Sequence, residues 1–172
     1  NGQIQCMAYS TDNGRTFTKY EKNPVLTPFD GLKDFRDPKV FWYKPGKHWV
    51  MVLNERDGHS IYISSNLKEW TYQSHITGFW ECPELFELLI DGDPNNTKWV
   101  MYGATGTYML GSFNGKVFKP EMGKYQYTTG SIYAAQTFTN MPDGRRIQIG
   151  WGRISHPGMP FNGCLLYTSP SP

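Results

Sequence analysis

Trp49-Val50-Met51-Val52 returns as Trp99-Val100-Met101-Tyr102 and, in weaker form, as Ile147-Gln148-Ile149-Gly150, with starts 50 and 48 residues apart. Two further series keep nearly the same step. Ser10-Thr11-Asp12-Asn13-Gly14-Arg15-Thr16-Phe17, Ser64-Ser65-Asn66-Leu67-Lys68-Glu69-Trp70 and Gly111-Ser112-Phe113-Asn114-Gly115-Lys116-Val117-Phe118 each read as a polar turn closed by an aromatic. The aromatics Phe17, Trp70 and Phe118 lie 53 and 48 residues apart. Pro38-Lys39-Val40-Phe41, Pro83-Glu84-Leu85-Phe86 and Ala135-Gln136-Thr137-Phe138 are spaced by 45 and 52. Three markers that hold one period define an internal repeat. A unit of roughly 40–50 residues made of short strands is the size of a four-stranded β-propeller blade.

Each unit has strand chemistry. The runs are short, rich in Val, Ile, Tyr, Phe, Trp and Thr, and separated by turn formers such as Lys44-Pro45-Gly46, Asp91-Gly92-Asp93-Pro94 and Pro142-Asp143-Gly144. No stretch sustains a helical period. The chain is predicted to be all-β, about three blades of a propeller over residues 1–163. The tail 164–172 (Cys164-Leu165-Leu166-Tyr167-Thr168-Ser169-Pro170-Ser171-Pro172) continues none of the series and reads as a frameshift or joined-on sequence. Three blades leave an open ring, so the isolated piece is expected to be poorly stable.

Composition narrows the function classes. The net charge is +2 with acids and bases interspersed, which argues against a nucleic-acid partner or an anionic membrane surface. No apolar run approaches the ~20 residues that span a bilayer. Cys6, Cys82 and Cys164 are odd in number and lack metal-type spacing, and His48, His59, His75 and His156 share no ligand pattern. The chain opens at Asn1 without a Met, so the compartment stays open, a secreted or periplasmic one included.

Two carboxylates carry the candidate chemistry. Asp37 in Phe35-Arg36-Asp37-Pro38 and Glu81 in Trp80-Glu81-Cys82-Pro83-Glu84 stand at matching places in the repeat. Equivalent positions of propeller blades converge on the central axis, and paired carboxylates are what glycosidic-bond cleavage requires. Trp80, Cys82 and Pro83 surround Glu81 with apolar groups that disfavour its charge, as a general acid needs, whereas Arg36 next to Asp37 favours its ionised form. An Asp before Pro is also an ordinary turn former. Strand alternation turns Glu84 away from Glu81 toward a structural role. Arg36 is equally a sugar donor or the partner of Asp37. Trp42, Trp80, Trp151 and Tyr133 are core residues or sugar platforms, and Cys82 is a small apolar neighbour of Glu81.

These residues resemble glycoside hydrolase family 32, the invertase, levanase and inulinase group. The resemblance rests on Ala8 to Phe17, Asn23-Pro24-Val25-Leu26, Phe35-Arg36-Asp37-Pro38-Lys39-Val40, Trp80-Glu81-Cys82-Pro83-Glu84-Leu85-Phe86, Tyr133-Ala134-Ala135-Gln136-Thr137-Phe138 and Gly150-Trp151-Gly152-Arg153. It implies a five-bladed propeller followed by a β-sandwich, and retaining hydrolysis of β-fructofuranosyl bonds. By position it implies that Glu81 is the general acid/base and Asp37 the transition-state stabiliser, with Arg36, Trp80, Trp42 and Tyr133 as substrate contacts. The partner is a fructose-containing oligo- or polysaccharide, and no metal or organic cofactor is called for. The family's nucleophile lies in a Trp-Met-Asn-Asp-Pro-Asn-Gly type segment that is absent here. The chain therefore reads as an inactive piece lacking its N-terminal blade and C-terminal sandwich. Ser131 stands where many members carry an acid before the Tyr-Ala segment.

The turn at Ser10 to Phe17 also resembles the Asp-box of sialidases, where it is a folding element distant from the chemistry. Two other readings remain: a noncatalytic fructan-binding propeller, and another five-bladed glycosidase of arabinosidase type.

Overall fold

A computed structural model describes residues 2–29, 31–128 and 132–153, and the backbone of 165–170. Ser131, His156 and Cys164 lie outside the described residues. The chain divides into two compact units, one of residues 1–78 with 113–118 and one of residues 79–112 with 119–172.

The first unit holds a two-stranded antiparallel pair, β1 (Ala8–Tyr9) and β2 (Thr18–Lys19), and a four-stranded sheet. That sheet is an antiparallel meander of β3 (Phe35–Tyr43), β4 (His48–Glu55), β5 (Gly58–Ser64) and β6 (Thr71–Thr77), paired in chain order. Burial is concentrated in β4 and β5, whose apolar runs are covered on both faces, while β6 is half-buried to exposed along its length. Phe35, Met51, Leu53 and Tyr62 form the core cluster, with Leu26 and Trp70 packed against it. Buried Glu55 accepts hydrogen bonds from Ser60 Oγ and from Tyr62 Oη, the latter at 2.8 Å, so the charge is solvated by hydroxyls.

The second unit repeats the meander with β7 (Glu84–Ile90), β8 (Asp93–Tyr102), β9 (Thr107–Phe113) and β10 (Phe118–Gln126). The tip between β9 and β10 belongs to the first unit. Pro120 falls in β10, an edge strand, where a missing N–H breaks no internal ladder. A third sheet joins β11 (Ile132–Phe138), β12 (Ile147–Gly152) and β13 (Leu165–Pro170), all antiparallel. The last residues, which continue none of the repeat series, thus supply a strand whose backbone pairs with β12.

The polar turns of the repeat share one hydrogen-bonding scheme. Asp12 Oδ1 accepts from the amides of Arg15 (3.0 Å) and Thr16 (2.9 Å). Asn66 Oδ1 accepts from Lys68 (2.9 Å) and Glu69 (3.0 Å), and Asn114 Oδ1 from Lys116 (3.0 Å) and Val117 (2.8 Å). They join β1 to β2, β5 to β6 and β9 to β10, always the step into a sheet's outermost strand. The side chain replaces the missing backbone partners of a tight turn, which explains why an Asx residue recurs there.

Candidate active site

The candidate residues sit where the inner strands begin, and the backbone there is unusual. Asp37 has φ +59° within a bulge that shifts the β3–β4 register between Arg36 and Lys39. Ala134 has φ +53° within the matching bulge of β11 between Tyr133 and Gln136. Glu81 (φ +53°) and Cys82 (φ +44°) precede β7. Left-handed non-glycine residues cost of order 1–3 kcal/mol and gather at functional sites, and bulges re-aim the side chains beside them. Matched on this conformation and on Phe41, Phe86 and Phe138, Asp37 corresponds to Cys82 and Ala134. Glu81 then corresponds to Arg36 and Tyr133, so the two acids are offset by one residue, not at identical positions as expected.

Glu81 is held from below by the Gly103-Ala104 segment after β8. The Ala104 amide donates to Trp80 O (2.9 Å) and Glu81 O (3.1 Å), and Ala104 O accepts from the Ala134 amide (3.1 Å). One short segment thus ties the approach to β7 to the bulge of β11. A Cβ on Gly103 would stand 2.8 Å from Trp80 O and 3.1 Å from Glu81 O, so only glycine permits this backbone approach.

The same tie brings the Tyr133 phenol to Glu81, whose carboxylate accepts its hydrogen bond. That contact, more than burial, pushes the Tyr133 phenol up to about 12, because ionising it would set two negative oxygens against each other. The apolar wall expected around Glu81 is not closed: Trp80 is 42% exposed and Cys82 is half-buried.

Glu84 is fully buried and accepts from the amide (3.2 Å) and hydroxyl (2.7 Å) of Thr137. Arg146 donates to the same hydroxyl (2.8 Å) and lies over the Phe86 ring at 4.2 Å. Burial lowers the proton affinity of Arg146, and the Glu84 charge opposes that shift. The carboxylate that alternation turns away from Glu81 therefore links β7 to β11.

In the first unit, the Arg36 guanidinium donates to Asp34 and lies 3.7 Å from Asp37 Oδ2, which favours the role of charge partner. Trp42 is not brought to Asp37. It lies five positions further along β3, roughly 16 Å at ~3.3 Å per residue, and stacks edge-on with Trp49 at 5.3 Å. An extended strand separates in space what the sequence places close together.

One contributor went unrecognised in the sequence. Arg153 Cζ lies 4.8 Å from the Tyr133 ring centre and 5.4 Å from that of Trp151, while Tyr133 and Trp151 pair across β11 and β12 with rings 6.2 Å apart at 81°. The signal was the two-residue step from Trp151 to Arg153, which puts both on one side of an extended segment. Among the described residues, no group of three His, Cys, Asp or Glu is arranged to hold a metal ion, and no helix is long and apolar enough to cross a membrane.

Comparison with known proteins gives this geometry a family. The glycosyl hydrolases family 32 N-terminal domain matches residues 1–161. A levanase of Bacillus subtilis (strain 168) is 47% identical over 172 residues, covering 87% of this chain and 25% of the levanase. Invertase 1 of Saccharomyces cerevisiae is 37% identical over 175 residues, covering 86% of this chain and 31% of the invertase. The solved β-fructofuranosidase of Schwanniomyces occidentalis with fructosyl-erythritol superposes with a TM-score of 0.79 at 29% identity. It covers 98% of this chain and 41% of that one. The chain thus spans about a quarter to a third of these curated relatives, as part of a five-bladed β-propeller. On residues 1–161 and the Arg-Asp-Pro and Glu-Cys-Pro segments within them, the chain belongs to glycosyl hydrolase family 32.

Proposed function

We propose that this chain is part of a retaining β-fructofuranosidase that cleaves sucrose, inulin or levan. In this reading Glu81 is the general acid/base, and Asp37, with Arg36 beside it, holds the fructosyl hydroxyls and stabilises the transition state. Protonated Glu81 donates its proton to the glycosidic oxygen as the bond to C2 of fructose breaks. A carboxylate nucleophile takes C2 and forms a glycosyl ester. Ionised Glu81 then removes a proton from water, which attacks C2 and frees fructose. The observation that carries this reading is the Glu81 carboxylate: it sits on a left-handed turn, its backbone is pinned to Ala104, and it receives the Tyr133 hydroxyl.

The Asn-Asp-Pro-Asn-Gly type segment that bears the family's nucleophile does not occur in this sequence. The 172-residue chain alone is therefore expected to release no fructose.

The test uses a chain extended to the length of its relatives, assayed for fructose release from sucrose, inulin and levan. Glu81→Gln and Asp37→Asn should each lower kcat by at least about 10³-fold with the melting temperature kept, the upper part of the range removal of such groups costs. Fructan binding without fructose release in the extended parent would identify a binding module. Near-parental turnover in Glu81→Gln would remove Glu81 from the acid role.

A further inference from the structure

In the first four-stranded sheet β3 is an edge strand. At Phe35, two residues before Asp37, two side chains stand in for a neighbouring strand. Gln3 Oε1 accepts from the Phe35 amide (2.9 Å), and Gln5 Nε2 donates to the Phe35 carbonyl (2.6 Å). Both backbone groups of one residue are thereby bonded from outside the sheet.

We propose that Gln3 and Gln5 are positioning residues for Asp37: they fix the chain just ahead of its left-handed turn and so hold its carboxylate in place for the transition state. This rests on Asp37 being the transition-state stabiliser. Asp37 has φ +59°, and the regular β3–β4 ladder is interrupted between Arg36 and Lys39. A strained residue keeps such a conformation only where its surroundings over-determine it. Regular pairing resumes with Lys39 opposite Val52 and anchors the far side of the turn. On the near side Phe35 is held by its fully buried ring in the core cluster and by the two glutamines.

The support behind the glutamines is itself anchored. Gln5 is buried, its amide donates to Leu26 O (2.9 Å), and its carbonyl accepts from the Val25 amide (2.9 Å). Asn23 accepts from the Met7 amide and donates to the Met7 carbonyl, both at 2.8 Å. Leu26 packs on the core cluster that contains Phe35. An apolar side chain of the same size as Gln5 would fill its space equally well but give the Phe35 carbonyl no donor. The amide group therefore places backbone, which is what a strained turn two residues away requires.

The test is a double-mutant cycle in the extended chain, read as fructose release from sucrose. Gln5→Met keeps the size of the side chain and removes its donor, while Gln3→Ala removes the acceptor at an exposed position. Each should lower kcat by about five- to tenfold, less than the roughly 10²-fold that a misplacement of about 1 Å can cost, with KM rising by less than kcat falls. Added to Asp37→Asn, the same changes should lower kcat by less than about twofold, because the group they position is already gone. Losses as large in that background as in the parent would mean that the glutamines serve the fold or another group, and would overturn the proposal. Unchanged kcat in both single variants would overturn it too. If Gln5→Met does not fold, the same comparison with Gln3→Ala decides. An extended parent that releases no fructose, or near-parental turnover in Asp37→Asn, would instead defeat the fructosidase reading or the role it gives Asp37, and this inference with it.

Discussion

The Tyr133 hydroxyl donates a hydrogen bond to the carboxylate of Glu81, across 52 residues of sequence and from the bulge of one strand to the entrance of another. A phenol that donates to a carboxylate favours its ionised form, which is the form the proposed mechanism requires of Glu81 as the base in its second half. The same contact opposes the protonated form required in the first half. Under that proposal, Tyr133 sets the balance between the two duties of Glu81.

Tyr133→Phe should shift that balance. Without the donor, the ionised form of Glu81 loses a partner, so the alkaline limb of kcat/KM should move to higher pH. The pH profile of the extended chain measures this directly. The Tyr133 phenol is raised in the fold from 10.0 to about 12. Its contribution to stability is therefore full below pH 10 and is lost as the pH rises from 10 to 12. The alkaline fall in melting temperature should be shallower in Tyr133→Phe.

Gly103→Ala should damage Glu81 without touching it. The added Cβ meets backbone atoms of Trp80 and Glu81, not the tip of a flexible side chain, so the turn itself must move. A destabilisation of about 1–3 kcal/mol is expected, along with a drop in kcat larger than that in KM. Chemical denaturation and steady-state kinetics on the same protein separate the two effects. Parental kcat in a folded Gly103→Ala protein would show that the tie to Ala104 does not position the acid.

Glu84→Gln should be costly although the proposed mechanism gives Glu84 no step. The substitution replaces one oxygen acceptor with an NH2 facing the Thr137 donors and leaves Arg146 without the opposing charge. Breaking a buried charge partnership of this kind costs about 3–5 kcal/mol. Glu87→Gln, at an exposed position of the same strand, should change stability by less than about 0.5 kcal/mol. Urea denaturation of the two variants gives the comparison.

The three-fold period near 50 was enough to specify blades, because the interactions behind it are local. Asp12, Asn66 and Asn114 bond to amides two to four residues ahead, and runs such as Trp49 to Leu53 pair with strands next in sequence. Such contacts can be read from a window of a dozen residues. The motifs of Glu81 and Asp37 are legible in the same way, because they are short and continuous.

Side-chain placement was decided elsewhere. Trp42 stands five residues from Asp37 in sequence yet at the far end of β3, because a strand spends about 3.3 Å on every residue. The Tyr133 hydroxyl sits on Glu81, a contact that no local pattern records. Arg153 joined that group only once β11 and β12 had paired. Sequence alone determined the strands, turns and family of this chain, since each depends on neighbours along the backbone. Tertiary structure decided which groups touch the acid, since those partners come from strands some 50 residues away whose register no local pattern records.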